Sequence, residues 1–480
     1  MHLPGFPVSN VNVDKINVYN VPSVPWFSPV LAQNITYTPF GALSSLQNGC
    51  VGTGCTNAQE TYSYNNRLQA SQIQLGVSGN TGEDYTLGYN YSLPGGATPP
   101  GCPVQAQGSG NNGNVIGYSY SDSVNPSYSN SALFVYDSVN RLACAQATGN
   151  STYNLAFSYT QDGSSGQFGN MTCSLNSSTS GPCAQYSFNG ANQITGYTYD
   201  GAGDMISGGG HTYQYDAEAR LVSVDGGTTE SYVYNAFGQQ VRLIAPNFSY
   251  TWDHLYDPAG QCMGRWSNNA WWASGVFHLG GRLFAVYFDQ TYFIHLNNLG
   301  STVMTTTSQG TVDGDTQLYP WGQDWLGGTP EWHFAAFQYG DSATGLYPTL
   351  NRQYANGEGR WLTPDPGGEK VVKLDDPQTW NMYAYTRNNP TTFTDATGLC
   401  NDGTAGHDCA QPPPDPATVK AKADVQSAFF GGTDSIVGEY GERTQVPVLS
   451  AESGDLLLGS ILGGLGGGCQ ASWKTYLKVP

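Results

Sequence analysis

The chain has 480 residues, a formal net charge of −19, only 11% charged residues, 62 glycines and 32 tyrosines. Typical domains carry about 25% charged residues, so the polar surface here must come from Ser, Thr, Asn, Gln and Tyr. This excludes a helix bundle or coiled coil, which needs Ala, Leu, Glu and Lys at helical spacing, and the 17 basic residues leave no basic face for nucleic acid.

From the N-terminus, MHLPGFPVSN has neither a basic region nor an apolar run, so no signal peptide of the usual kind is expected. Lys15 is the only lysine before Lys370. The longest Gly-interrupted apolar stretch, LLLGSILGGLGGG from Leu456, is too short for a membrane span. Ten cysteines without a CxxC pair argue against structural zinc and for an oxidising compartment. The short intervals Cys50 to Cys55, Cys173 to Cys183 and Cys400 to Cys409 could each close a disulfide loop, and free buried thiols are the alternative; connectivity stays open. Oxidising composition without an export signal fits the C-terminal part of a longer secreted polypeptide, or export by a specialised machine.

A repeat runs through the middle of the chain: Tyr-Asp, a few variable residues, Gly or Asn, a long polar residue and an aliphatic. It stands as YDSVNRL from Tyr136, YDGAGDM from Tyr199, YDAEARL from Tyr215, YNAFGQQV from Tyr234 and YDPAGQC from Tyr256, with weaker copies at Tyr64 and Phe188. The Asp or Asn closes an Asx-type turn, and the Gly or Asn supplies positive φ. Tyr and the aliphatic then flank the turn as a cross-strand pair. Period-two alternation continues between copies, as in RLVSVDGGTTESYVYN, where Val222 and Val224 share one face. The predicted fold is all-β: antiparallel hairpins in one continuous sheet that must curl, close or hide its edges, with a short C-terminal tail of uncertain structure.

These copies resemble the YD repeats of the Rhs family, shared with teneurins and with the C component of insecticidal toxin complexes. The region from His295 to Leu399 carries the more specific resemblance: HLNNLGSTVMTTTSQGTV, LYPWGQ, GLYPTLNRQYANGEGRWLTPDPGG and NMYAYTRNNPTTFTDATGL stand in the order of an Rhs-associated core. The resemblance implies a hollow β-shell closed at one end by the core, followed by a variable C-terminal segment, often a toxin. It divides the chain into a YD shell segment (1–290), the core (291–399) and a variable segment (400–480).

The family core is similar to an aspartyl autoprotease that cuts behind PxxxxDPxGL. Pro390, Asp395, Gly398 and Leu399 match, while Ala396 replaces the proline. Asp365 in TPDPGG supplies the first carboxylate, 30 residues ahead because EKVVKLDDPQTW intervenes. The resemblance thus implies Asp365 and Asp395 as catalytic and the bond between Leu399 and Cys400 as scissile. Two close carboxylates share one proton, one activating water while the other polarises the carbonyl. Arg360 and Arg387 could bias which carboxylate ionises, or anchor the shell. Asp-Pro-Gly is also an ordinary turn, so a structural reading stands beside the catalytic one.

His211, His254, His278, His295 and His333 have no metal spacing, so neither metal nor cofactor is expected. Trp271, Trp272, Trp321, Trp325 and Trp332 could stack on sugars but fit the interior of an aromatic shell better. After Leu399, CNDGTAGHDCAQPPPDP is linker-like, and no nuclease or transferase constellation follows. The leading functional reading is a shell that presents its own C-terminal segment, secreted or at a cell surface, with a secretion apparatus or target cell as outside partner. The competing reading is a non-enzymatic adhesion or carbohydrate-binding YD protein.

Overall fold

The computed structural model describes residues 30–399 except 50–57, 78–82, 93–97, 105–109, 161–167, 176–184, 258–259, 268–271, 280–281, 329–333 and 338. It also describes the backbone of three short strands, Lys15–Asn17, Asp434–Val437 and Arg443–Val446. Among the described residues nearly all regular structure is antiparallel strand, and no helix is long and apolar enough to cross a membrane.

The YD motif folds as its residues dictate. Asp137 Oδ1 accepts the amides of Val139 and Arg141 at 3.0 and 2.9 Å, and Asn140 takes φ 66°. Asp216 does the same for Glu218 and Arg220, and Asn235 for Phe237 and Gln239, with Ala219 and Gly238 in the left-handed position. The side chain two residues behind the turn thus replaces water on donors that the sharp reversal would strand. Beyond each turn the tyrosine faces its aliphatic: Tyr136 opposite Leu142, Tyr215 opposite Leu221.

The tyrosine hydroxyls link one hairpin to the previous one. Tyr234 Oη donates to the Leu221 carbonyl at 2.8 Å, Tyr215 Oη to Met205 at 2.8 Å, and Tyr256 Oη to Gln240 at 2.8 Å. In the earlier hairpins Tyr64 bonds Leu43 at 2.8 Å and Tyr159 bonds Leu142 at 2.6 Å. The accepting carbonyl belongs to the residue that follows the preceding turn. Each repeat therefore fixes the register of its neighbour.

The hairpins form two sheets rather than the single continuous sheet expected. Strands from Lys15 to Leu175 make an 11-stranded sheet, and strands from Thr198 to Gly327 make a 14-stranded one, each strictly in sequence order. Between them the weak copy FNGANQI makes only an isolated bridge, Phe188 to Ile194. Its Asn192 is engaged elsewhere: the side chain accepts from Phe168 N and Asn170 Nδ2, and its carbonyl accepts Arg360 Nη2 at 2.6 Å. There the chain turns toward the core instead of extending a ladder.

The core fills the space between the sheets. A three-stranded sheet, Leu346–Pro348, Gln353–Ala355 and Arg360–Trp361, is buried on both faces. Tyr347, Tyr354 and Trp361 join Tyr85, Leu155 and Phe157 of the first sheet. Leu346, Ala355 and Leu362 join Tyr213, Val224 and Tyr232 of the second. Period-two alternation divides one short hairpin between two walls. Strand Thr291–Leu296 is split likewise, Phe293 packing with Leu31 and Leu46 of the first sheet and Ile294 with the second-sheet cluster. The interior that the resemblance painted as hollow is, in this length of chain, occupied by its own core. Trp321 is buried there and Trp325 packs edge-on against Tyr153; Trp271, Trp332 and His333 lie outside the described residues.

A disulfide joins Cys102 to Cys144, a pairing that the short cysteine intervals did not indicate. The apolar row Val135, Cys144 and Ala156 lies on the face of the first sheet turned away from the core, and Cys102 and Val104 cover it. Cys173 is also disulfide-bonded, and Cys262 is a buried thiol whose Sγ donates to the Gly264 carbonyl at 3.5 Å. Cys50, Cys55, Cys183, Cys400 and Cys409 lie outside the described residues.

Candidate active site

Asp365 and Asp395 converge on one guanidinium, that of Arg352. Its Nη2 lies 3.1 Å from Asp365 Oδ2 and 3.3 Å from Asp395 Oδ2. All three are buried, at 3%, 5% and 1% exposure for Arg352, Asp365 and Asp395. The hairpin between Leu346–Pro348 and Gln353–Ala355 presents Arg352, and the buried Trp361 ring lies 4.4 Å from the guanidinium. Two further donors are fixed by backbone: Nε to the Gly398 carbonyl at 2.5 Å and Nη1 to the Met382 carbonyl at 3.1 Å. Burial pulls the Arg352 guanidinium down from its ordinary pKa, and the two carboxylates push it back up.

Each aspartate sits in the turn its sequence predicts. Asp365 Oδ1 accepts Gly367 N at 2.8 Å. Asp395 Oδ1 accepts Leu399 N at 3.0 Å, which sets this carboxylate one peptide group before the Leu399 carbonyl. Gly398 is required twice over. Its φ is 73°, and a β-carbon there would come within 2.4 Å of Thr349 Oγ1. Asn351 Nδ2 donates to the Thr397 carbonyl at 2.8 Å. Successive groups at 397, 398 and 399 are thus held by Asn351, Arg352 and Asp395. Cys400 lies outside the described residues.

The 30-residue spacing does not separate the carboxylates. The inserted segment makes two 3-10 turns, Gly368–Val371 and Pro377–Trp380, and docks Trp380 against Phe168 with ring centroids 4.6 Å apart. Ala396 is exposed, and Pro390 is buried at the head of the last approach to Asp395.

Neither arginine singled out from sequence reaches the carboxylates. Arg360 is buried between Phe188 and Tyr383 and donates to the Asn192 carbonyl. Arg387 pairs with Asp376 at 3.0 Å near the surface. The arginine that does reach them, Arg352, was missed. The core has three arginines, and proximity in sequence favoured the two nearest the aspartates. No signal within a few residues of Arg352 separates it from the other two; only the folded hairpin, which lays it over Trp361, does so. The histidines do not gather: His211 bonds Asp225, His254 the Gln240 carbonyl and His295 Glu60, and no cluster among the described residues has metal-binding make-up.

No family model matches the chain. The tRNA nuclease WapA of Bacillus subtilis is 28% identical over 280 residues, 52% of this chain and 11% of that protein. Teneurin-3 of Mus musculus is 24% identical over 209 residues, 40% of this chain and 8% of that protein. The chain thus spans about a tenth of the length of the curated relatives it matches. Among solved structures, the Tc holotoxin pore of Photorhabdus luminescens matches with TM-score 0.58 at 17% identity, over 79% of this chain and 19% of that one. The TcdB2–TccC3 complex matches with TM-score 0.59 at 19% identity, over 77% of this chain and 20% of that one. Sequential YD hairpins, the ordered core motifs and these likenesses together support the Rhs/YD-repeat family for this chain.

Proposed function

We propose that the chain is the closing part of an Rhs-type shell that presents or encloses a C-terminal polypeptide, and that it cuts itself between Leu399 and Cys400. The observation that carries the cleavage is the convergence of two buried carboxylates on Arg352, with Asp395 bonded to the amide of Leu399. The reading uses the pair in two roles, one carboxyl as acid and the other as base. The ionised carboxylate takes a proton from water as its oxygen adds to the Leu399 carbonyl carbon. The protonated one supports the developing oxyanion. The bond to the Cys400 nitrogen then breaks as that nitrogen takes the proton the first carboxylate drew from water, leaving Leu399 with a free carboxyl and the pair in its starting state.

The delivery part of the proposal is supported by the matched company: WapA is by name a tRNA nuclease, and one matched structure is of TcdB2–TccC3 without its hypervariable C-terminal region. We read residues 400–480 as the counterpart of that region in this chain. The partner is accordingly the chain's own C-terminal segment, and the setting is outside the cell or on its surface, reached through a secretion apparatus.

Intact mass and N-terminal sequencing of the purified chain test the reading. The expected result is two chains, one beginning at Cys400, with Asp365→Asn and Asp395→Asn slowed by at least about 10³-fold, the order found when a group acting on the transition state is removed. A single uncut chain in the unmutated protein refutes the cleavage.

A further inference from the structure

The two aspartates reach Arg352 on arms anchored to different sheets. Asp365 follows strand Arg360–Trp361, and the Leu362 carbonyl one residue on accepts Met205 N of the second sheet at 3.0 Å. Asp395 follows residues 388–392, which are tied to the first sheet by side chains. Asn388 Nδ2 donates to the Gly169 carbonyl at 2.9 Å. Asn389 Nδ2 donates to Asn114 Oδ1 at 3.0 Å, and Asn114 Nδ2 continues to Asn140 Oδ1 at 2.9 Å, in the turn of the Tyr136 repeat. Thr391 Oγ1 meets Tyr136 Oη at 2.8 Å, and Thr392 Oγ1 accepts Val115 N at 3.1 Å. Tyr136 Oη also bonds the Val115 carbonyl. Farther back on the same arm, Asn381 Nδ2 donates to the Phe168 carbonyl at 2.8 Å.

The bonds of Thr391 to Tyr136, Asn388 to Gly169 and Asn389 to Asn114 are buried, and those to Asn140 and Val115 are half-buried. Asn114, Tyr136, Asn388, Asn389 and Thr391 are all buried. Buried polar groups of this kind dictate one arrangement, because a slipped alternative leaves donors unsatisfied at about 1–3 kcal/mol each. Only two residues separate Thr392 from Asp395, so the carboxylate cannot hold its place if the anchor moves. Displacement of about 1 Å is enough to cost on the order of 10²-fold in rate.

We propose that Tyr136, Thr391 and the Asn389–Asn114–Asn140 relay are positioning residues that couple cleavage to completion of the first sheet. Resting on the self-cleavage reading above, this makes the cut a checkpoint. The carboxylate pair assembles only when both sheets have closed on the core, so the C-terminal segment is severed after its wall is built and not before.

Four substitutions in the full chain test this, read as the rate of appearance of the two fragments after refolding. Thr391→Val keeps the shape and removes the hydroxyl, and Tyr136→Phe removes its partner. Both are expected to slow cleavage at least tenfold, while the folded variants keep a thermal midpoint close to that of the unmutated chain. Thr391→Ser restores the hydroxyl and is expected to restore the rate, which a purely packing role would not produce. Tyr64→Phe removes a ladder bond of the same type, to Leu43, and is expected to cut at the unmutated rate. Unchanged rates in Thr391→Val and Tyr136→Phe, or a Thr391→Ser variant as slow as Thr391→Val, overturn the coupling and leave the protease reading intact. An unmutated chain that never cuts overturns both.

Discussion

Glu60 in the first sheet and Glu230 in the second occupy the same local pattern, and their surroundings take them in opposite electrical directions. Each stands two residues before a tyrosine whose hydroxyl donates to its carboxylate, Tyr62 to Glu60 and Tyr232 to Glu230. Each is buried, and burial alone raises a carboxyl pKa. At Glu60 that effect is overcome by His295, whose Nδ1 bonds the carboxylate and whose Nε2 lies 2.8 Å from Thr306 Oγ1, so the pKa is lowered. Glu230 has burial and the nearby Asp341 acting together, and its pKa rises from 4.5 to about 9. The first glutamate is a charged tie between the two sheets. The second is a neutral acid between the second sheet and the core. The same three-residue pattern therefore specifies geometry but not charge, which is set by residues far away in sequence.

The most damaging way to break the contrast is to remove the histidine. His295→Leu leaves a buried carboxylate without its partner, and the expected loss is about 3–5 kcal/mol in urea unfolding, the cost typical of breaking a buried pair from one side. A loss below about 1 kcal/mol would mean that Glu60 is not held as an ion there.

A subtler test reads the pH dependence of two matched amides. Glu60 has a lowered folded pKa, so its contribution is present above the unfolded value of 4.5 and is lost as pH falls through the lowered one. Glu230 keeps its proton in the folded chain up to about pH 9, while the unfolded chain releases it near 4.5. Its contribution is therefore full below 4.5 and falls as pH rises to 9. Glu60→Gln is expected to destabilise at pH 7 and to lose that effect in acid. Glu230→Gln, which imitates the protonated acid, is expected to flatten the decline between pH 5 and 9. Denaturation midpoints from about pH 3 to 9 check both, and parallel curves for the two variants would erase the distinction.

The smallest effect separates the tyrosines. Tyr62→Phe removes a bond to a charged acceptor and is expected to cost about 1.5–3 kcal/mol, against about 0.5–1.5 for Tyr232→Phe, whose acceptor is a neutral acid. Equal losses would place both glutamates in the same state.

The same division between near and far explains how much of the molecule was legible in its sequence. The YD turns were readable because every interaction that makes them lies within a few residues: Asp137 reaches Val139 and Arg141, and Asn140 supplies the positive φ. The tyrosine ladder was not readable, since it joins residues 10 to 21 apart whose spacing changes with each hairpin. Asp365 and Asp395 were visible through an ordered motif resemblance. Arg352 was hidden because nothing local distinguishes it from Arg360 or Arg387 until the hairpin folds it over Trp361. The break into two sheets was hidden for the same reason, as Asn192 serves groups at 168, 170 and 360. The bond from Cys102 to Cys144 closes a separation of 42 residues and covers an apolar row whose exposure only the folded sheet creates.

The tyrosine ladder bears on how such walls change over generations. Because a hydroxyl is received by the residue just after the preceding turn, a hairpin inserted or deleted whole arrives with its own donor and its own acceptor. Duplication or loss of one unit leaves no orphaned bond at the seam, whereas an indel that starts mid-hairpin strands both. Wall length can therefore drift in hairpin-sized steps at little energetic penalty, while the core, whose bonds run to particular turns of the first sheet, fixes which hairpins must stay.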